Sequence, residues 1–551
     1  MDRTIKKYFI ILGALVGVWL TIGLLASSSL PSPEVSFIPV QVVHFKEEST
    51  LSFPIPESNT YCSKWAPVAE FSLWADRPSA YSVKKVNQSG WKLLPPKSKS
   101  TGLFFKDFFN LNYSETFWAE VEQGHSQETN EGLFLIPEET NFVFTRMYHY
   151  RDSQFRNIQT ARLGVDYACP GQIFNHVPGA SAFSRKDFLQ KYLIDYKRRY
   201  EALELPQCYS RSITPKSFIM EDSLQCEQFM DVIQELIISY NETNFPLKWI
   251  TKSSTRHKGY GIELLDFTKA SYFYKLYREQ TVSDVSCQRV LDNHKDLIVQ
   301  EYISNPALIE NRKFDFRVFM MIVNVEPLVV AWAPHNGHTR LSDFEFDKSS
   351  KEFTAHITAN VAGKNPGSLE FLKSYRLNLQ EIAEYYKNQL GDPQRWLEEV
   401  AFPQVKQILI HMVRSGQQNF LVQREGLIEF FGIDLILDDT LQNFYLLESN
   451  RRPDVQEKNS KLQYREDEIV YDFSKVAKYK LITPNLDTDQ LFAQLKSFVP
   501  LIDETKPDPY LGEIPQECSV PFKDFNWELP VDPMIEPLVH YVFQDSNNKW
   551  K

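Results

Sequence analysis

Apolar residues recur along this chain with two different periods. Over residues 226–240, Phe229, Val232, Ile233, Leu236 and Ile237 fall three and four apart, which predicts a helix with one buried face. Residues 403–414 repeat the pattern with Val405, Ile408, Leu409, Met412 and Val413, and Gly416 follows as the expected stop. Elsewhere the period shortens to that of strands. Leu297, Ile298 and Val299 form a continuous apolar run, as a fully buried strand would. Next, Lys313, Asp315 and Arg317 alternate with Phe314, Phe316, Val318 and Met320, so three charges share one strand face and the apolar row takes the other. Such a strand either lines a polar cleft or shows a salt-bridged face to solvent. Residues 428–454 read as two apolar strands around a turn at Asp438, Asp439 and Thr440. That hairpin brings Asp434 roughly opposite Glu448, with Asn450 on the same face as Glu448.

The N-terminus is different in kind. Residues 8–26, YFIILGALVGVWLTIGLLA, carry no charge. At ~1.5 Å per residue they nearly span the ~30 Å hydrocarbon core of a bilayer. Arg3, Lys6 and Lys7 precede the run, and no Lys or Arg occurs in residues 27–45. That asymmetry predicts a signal-anchor with the first seven residues cytoplasmic and the body on the far side, in the ER or Golgi lumen. The alternative is a cleaved signal peptide ending near Ala26. Residues 27–60 are Ser/Pro-rich and read as a stalk. The chain turns Pro-rich again after residue 483.

Composition narrows the class. At 551 residues the chain fits two or three packed units, and 43% hydrophobic with 14% aromatic residues excludes a disordered chain. A formal charge of −11 argues against a nucleic-acid partner. The six cysteines (Cys62, Cys169, Cys208, Cys226, Cys287 and Cys518) form no zinc spacing. Their even number allows disulfides, and six buried thiols are the alternative. Sequons stand at Asn87, Asn112 and Asn241.

The candidate chemistry lies between Lys248 and Asp454. In KWITKSSTRHKGYGI a short strand ends in Lys252, and a loop with Gly259 and Gly261 follows. Glycines let backbone N–H groups close over phosphates, and a lysine at the strand end meets a phosphate as a point charge. Asp434, Glu448 and Asn450 supply two carboxylates and an amide oxygen, a donor set for Mg²⁺. One of the three lying at an exposed sheet edge is the alternative.

These pieces stand in the order found in the tubulin–tyrosine ligase-like family, which the chain resembles from about Asp76 to Asp454. WITKSSTRHKGYGI is similar to the family's W-x-x-K…G-x-G-I loop. VQEYI and KFDFR resemble its V-Q-K-Y-I and K-F-D-I-R, and FFGIDLILDDTLQNFYLLESN resembles its F-G-x-D-x-x-x-D…L-x-E-x-N signature. AHITAN is similar to H-L-T-N, and FNHVPGASAFSRKDFL to the region of R-K-x-x-L. The resemblance implies an α/β (α+β) ATP-grasp fold with a small α/β domain before it. Units are expected at 61–180, 181–300 and 301–482, followed by an extension at 483–551. It implies an ATP- and Mg²⁺-dependent carboxylate–amine ligase that joins an amino acid to a protein carboxylate through an acyl phosphate. Lys186 and Lys252 would contact phosphates, and Gly259 and Gly261 would close over them. Gln300 and the Glu301–Tyr302 backbone would frame adenine. Lys313 and Asp315 would reach the nucleotide, with His356 and Thr358 lining the cleft. Arg317 and Arg340 would grip a substrate carboxylate, and Asp434, Glu448 and Asn450 would carry the metal. Glu301 replaces the family's Lys, and Ala359 replaces the Asn of H-L-T-N. These departures keep open a non-catalytic ATP-binding scaffold, and reversed topology would give a tubulin modifier facing the cytosol.

Overall fold

The computed structural model describes residues 72–76, 92–93 and 142–145, and residues 172–518 with breaks at 178, 210, 255–260, 280–286, 288, 291–293, 295, 351–352, 359–374, 421–425, 452, 454–460, 484 and 516–517. All of them belong to one compact unit, Asn59–Lys551. The predicted anchor and stalk, the sequons at Asn87 and Asn112, and Cys62, Cys169, Gly259 and Ala359 lie outside the described residues. Among the described residues no helix is long and apolar enough to cross a membrane.

The fold is mixed α and β. The strands are β1 (Ser72–Asp76), β2 (Lys92–Leu93), β3 (Phe142–Thr145), β4 (Ile173–Phe174), β5 (Ser217–Ile219), β6 (Trp249–Ser253), β7 (Ile262–Leu264), β8 (Leu297–Glu301), β9 (Leu308–Ile309), β10 (Arg312–Asn324), β11 (Val329–Leu341), β12 (Glu429–Leu437), β13 (Phe444–Asn450) and β14 (Val499–Asp503). The helices that matter here are α1 (Lys186–Ala202), α2 (Ser223–Ser239), α3 (Phe267–Arg278), α4 (Leu379–Tyr385), α5 (Phe402–Gly416) and α6 (Lys461–Ile482).

The central sheet is antiparallel, in the order β13-β12-β10-β11-β14, with β9 paired to the start of β10. Both its faces are covered. Phe314, Phe316, Val318, Met320 and Ile322 pack with residues of α1 and α5, while Phe319, Met321 and Val323 pack with residues of α6. The odd-numbered face of β10 therefore changes character along its length: charged at 313, 315 and 317, and apolar from Phe319 onward. Its charges are not a solvated salt-bridged face, because Lys313 and Asp315 are buried and Arg317 is nearly so.

A second sheet, β5-β8-β6-β7, is antiparallel and backed by α2 and α3. α2 forms where the apolar spacing predicts it, and Asp222 caps its start by accepting from the Gln225 N–H at 3.1 Å. Phe218, Phe229, Trp249, Phe273 and Val299 close the core between helices and sheet, and the Cys226–Cys287 disulfide lies within that core. A third, parallel sheet joins β1, β2, β3 and β4.

The helix stops at Gly416 as expected, although Gly416 stays right-handed at φ −106° and a 3-10 turn follows at Gln417–Asn419. Arg340 lies inside the long strand β11, which pairs with β10 as far as Leu341. The Pro-rich stretch after residue 483 contributes β14 to the central sheet, and a Cys208–Cys518 disulfide ties its far end to the segment after α1.

Candidate active site

Strand register assembles the centre of the site. Asp315 of β10 stands opposite Arg340 of β11, Arg317 opposite Asp434 of β12, and Asp434 opposite Glu448 of β13. The predicted hairpin pairing of the two acids is thus a direct cross-strand pair. The arginines meet it as forks. Arg317 Nε and Nη2 donate to the two Asp434 oxygens at 2.7 and 2.8 Å. Arg340 Nε and Nη2 donate to Asp315 at 2.6 and 2.8 Å, and Nη2 also lies 2.8 Å from Asp434 Oδ2. Thr358 Oγ1 donates to Asp315 Oδ2. Burial alone would lower the Arg340 guanidinium, but Asp315 and Asp434 beside it outweigh that and hold it above the ordinary arginine value.

Gly432 is required by this packing. A Cβ there would sit 2.8 Å from the Pro453 Cβ and 3.3 Å from Cδ and Nε of Arg317. Gly432→Ala should therefore cost about 1–3 kcal/mol and loosen the fork on Asp434. A thermal melt would register it. An unchanged melting temperature together with unchanged nucleotide binding would show that the contact has slack.

Asn450 Nδ2 donates to Asp434 Oδ2 and Glu448 Oε1, each at 3.1 Å, and Lys186 Nζ lies 3.4 Å from Glu448 Oε2. Burial would raise the Glu448 carboxyl, yet Lys186 and the hydrogen bonds from its neighbours hold it well below the usual carboxylate range. Asp434 is pushed the other way by its burial, against the pull of Arg317 and Arg340. The donor set fits a divalent cation. The buried Asp434 and the half-buried Glu448 converge on one amide, and a half-turn of that amide exchanges Nδ2 for Oδ1, a donor for a ligand. Among the described residues no three His, Cys, Asp or Glu side chains cluster as a metal site, so this mixed set is the candidate.

The lysines are different, because neither is neutralised by a bonded acid. Lys252 Nζ donates to Gln300 Oε1 at 2.6 Å, and Lys313 Nζ lies 4.0 Å from the centre of the Tyr302 ring. Burial pushes Lys252 down to about 8, with Glu448 opposing and Lys186 adding to the fall. Burial and the nearby Lys252 push Lys313 down to about 7. Two buried ammonium groups that repel each other form a ready site for a polyanion such as a polyphosphate.

Around them, Gln300 is held by donating from Nε2 to Ser217 Oγ at 3.0 Å. In the Glu301–Tyr302 backbone the two N–H groups donate to the Lys216 and Lys248 carbonyls at 2.7 and 2.8 Å. That leaves carbonyl oxygens on this edge. The Glu301 side chain is exposed, so its exchange for the family's lysine touches no buried contact. His356 Nε2 faces the Ser350 carbonyl at 2.7 Å and must donate to it, so Nδ1 accepts from the Tyr302 hydroxyl at 2.8 Å. That arrangement is a neutral imidazole, and burial lowers its pKa accordingly. Gly261 adopts φ +74°, a left-handed turn that favours glycine, at the end of the loop after Lys252.

One basic residue at the site escaped the sequence reading. Arg376 lies within electrostatic reach of Arg340, Asp315 and Arg317. Nothing in YRLNL marks it, since only the fold brings it to β11.

This order of strands and charges has relatives. The model of the tubulin-tyrosine ligase family matches residues 166–480. The chain belongs to that family. The family is part of the ATP-grasp superfamily. This member is 24% identical over 322 residues to tubulin glycylase 3A of Drosophila melanogaster, covering 57% of this chain and 28% of that protein. It is 26% identical over 305 residues to the probable tubulin polyglutamylase TTLL9 of Bos taurus, covering 51% and 62%. With the probable alpha-tubulin polyglutamylase Ttll1 of Tetrahymena thermophila it shares 24% over 295 residues, covering 51% and 66%. The chain thus spans less than two thirds of each of these relatives.

Proposed function

We propose that this family member is an ATP- and Mg²⁺-dependent carboxylate–amine ligase that attaches an amino acid to a protein carboxylate. The observation that carries this reading is the buried pair Lys252 and Lys313 facing Asp434, Glu448 and Asn450. Lys252, Lys313 and Lys186 would neutralise the ATP phosphates, and Asp434, Glu448 and Asn450 would hold Mg²⁺, whose charge offsets that of the phosphates. A substrate carboxylate oxygen would attack the γ-phosphorus, and ADP would leave. An amine would then attack the acyl carbon, expelling phosphate and losing a proton to give the amide. Water has to be excluded, because it would hydrolyse the acyl phosphate.

Mg·ATP at ~100 times its Kd should stabilise the protein by about 2.7 kcal/mol. Absence of a thermal shift with Mg·ATP, or an equal shift in Lys252→Ala, would sink the assignment.

For the compartment, the lumen is the favoured reading. Two internal disulfides, Cys208–Cys518 and Cys226–Cys287, suit an oxidising environment. Asn241 is exposed in a loop, with its Oδ1 accepting from the Thr243 N–H and hydroxyl of its own sequon at 3.0 and 2.6 Å. Endoglycosidase should speed the protein on a gel, and Asn241→Gln should remove one glycan step. Unchanged mobility in both would favour the second reading, a cytosol-facing modifier of tubulin, which the names of the relatives motivate. The amino-acid donors named for those relatives, glycine and glutamate, are the first to try here.

A further inference from the structure

We infer that Arg451 is a positioning residue of the metal site: clamped by the buried Glu429, it holds Asn450 where the cation would bind. This rests on the ligase reading above and names what fixes one member of its metal set.

Asn450 is the member of that set that the sheet holds least. It is the last residue of β13, and β13 is the edge strand of the central sheet. Its cross-strand partner is Gly432, which offers no side chain to pack against. Strand ends at a sheet edge fray first, because few backbone bonds hold them. Yet the Asn450 amide stands 3.1 Å from both Asp434 and Glu448. A tie beyond the strand has to keep it there.

The next residue supplies that tie. The Arg451 guanidinium closes on Glu429 with two donors, Nε to Oε1 at 2.7 Å and Nη2 to Oε2 at 3.0 Å. Such a fork fixes direction as well as distance. Glu429 is 1% exposed and the Arg451 side chain 15%, so water screens the pair far less than it would on the surface. By strand alternation Glu429 shares its face of β12 with Phe431 and Ile433, opposite the face of Asp434. The clamp therefore sits behind the site and leaves the cation's face clear. Two residues on, Pro453 lies over Gly432, so the chain folds back on β12 directly after the clamp.

Glu429 is itself a fixed anchor. Its Oε2 accepts the Val177 N–H at 2.7 Å, and its Oε1 lies 3.1 Å from His176 Nδ1. With a guanidinium closed on it Glu429 is a carboxylate, so His176 is the donor. Each oxygen thus receives two donors, and the carboxylate cannot swing without breaking several bonds at once. The same acid also ties down the segment that leads into α1. That helix begins at Lys186, which lies by Oε2 of Glu448 while Asn450 takes Oε1. One buried acid behind the sheet therefore braces both arms that meet on Glu448.

Wild type, Arg451→Ala, Arg451→Lys, Glu429→Gln and Asn450→Ala are compared as the full chain, at a temperature where circular dichroism shows each folded. Protein is kept in excess over a non-hydrolysable ATP analogue, so that the analogue is bound. Mn²⁺ is then titrated and its free fraction read by electron paramagnetic resonance. Affinity for the analogue in EDTA is measured separately. Arg451→Ala and Glu429→Gln should weaken Mn²⁺ binding by about 10–100-fold, as loss of an outer partner of a metal ligand does. Arg451→Lys keeps the charge without the fork and should fall between. Analogue affinity in EDTA should stay unchanged in both Arg451 variants. Arg451→Ala added to Asn450→Ala should cost no further Mn²⁺ affinity, because Arg451 acts only through that amide. If Glu429→Gln does not fold, the Arg451 variants decide. Mn²⁺ binding like wild type in the Arg451 variants, an equal loss of metal-free analogue affinity, or additive losses in the double variant overturns the positioning role and leaves the ligase reading standing. A wild type that binds neither analogue nor Mn²⁺ fails that reading and this inference with it.

Discussion

Asp434→Ala is expected to destabilise the protein by about 3–5 kcal/mol, because it removes the acid on which Arg317 closes with both donors. The penalty comes from the stranded cation more than from the lost attraction. Asp434 is 1% exposed and the Arg317 side chain 12%, so little water replaces the carboxylate. Against a total stability of roughly 5–15 kcal/mol that is a large fraction. The same logic says that removing both charges should cost less than removing one. Arg317→Met combined with Asp434→Leu should recover much of the loss in a denaturant titration. A double variant no more stable than Asp434→Ala would mean that the pair itself holds the sheet together.

Glu448→Gln should abolish the Mg²⁺-dependent part of nucleotide stabilisation and reduce amino-acid transfer by about 10²–10³-fold, the size seen when one group stabilising transition-state charge is lost. Lys252→Ala and Lys313→Ala should remove nucleotide binding through the phosphates instead. The lysines also impose a pH dependence with a definite sign. In the free protein they titrate near 8 and 7, and a bound polyphosphate raises both values. Binding should therefore take up protons at pH 8. Affinity should weaken as pH climbs through 7 and 8, by up to about tenfold per unit for each lysine that has to be recharged. Calorimetry in buffers of different ionisation enthalpy measures the uptake. Proton release, or affinity that strengthens between pH 7 and 9, would contradict the placement of the phosphates on these lysines.

Much of this centre could be read from local pattern. Period-two alternation put Lys313, Asp315 and Arg317 on one face, and the short turn after Leu437 set Asp434 against Glu448. Both depend only on residues close in sequence. What could not be read depends on distant partners. Arg340 meets Asp315 through a register that shifts between Arg317 and Phe319, and no feature of either strand alone encodes that irregularity. Lys186 reaches Glu448 from the first turn of a helix more than two hundred residues earlier, and Arg376 arrives by resting its backbone on Thr339. The resemblance supplied residue types in order. It did not show that Arg317 and Arg340 would close on the site's own acids.

The most direct test of the ligase reading is transfer itself. The purified protein would be incubated with Mg·ATP and pooled radiolabelled amino acids, once with solubilised membrane glycoproteins and once with tubulin. The expected result is acid-stable label in a protein band, one ADP and one phosphate released per label incorporated, and none of this with Glu448→Gln. A protein that binds Mg·ATP yet labels neither acceptor pool with any amino acid would contradict it and leave an ATP-binding scaffold.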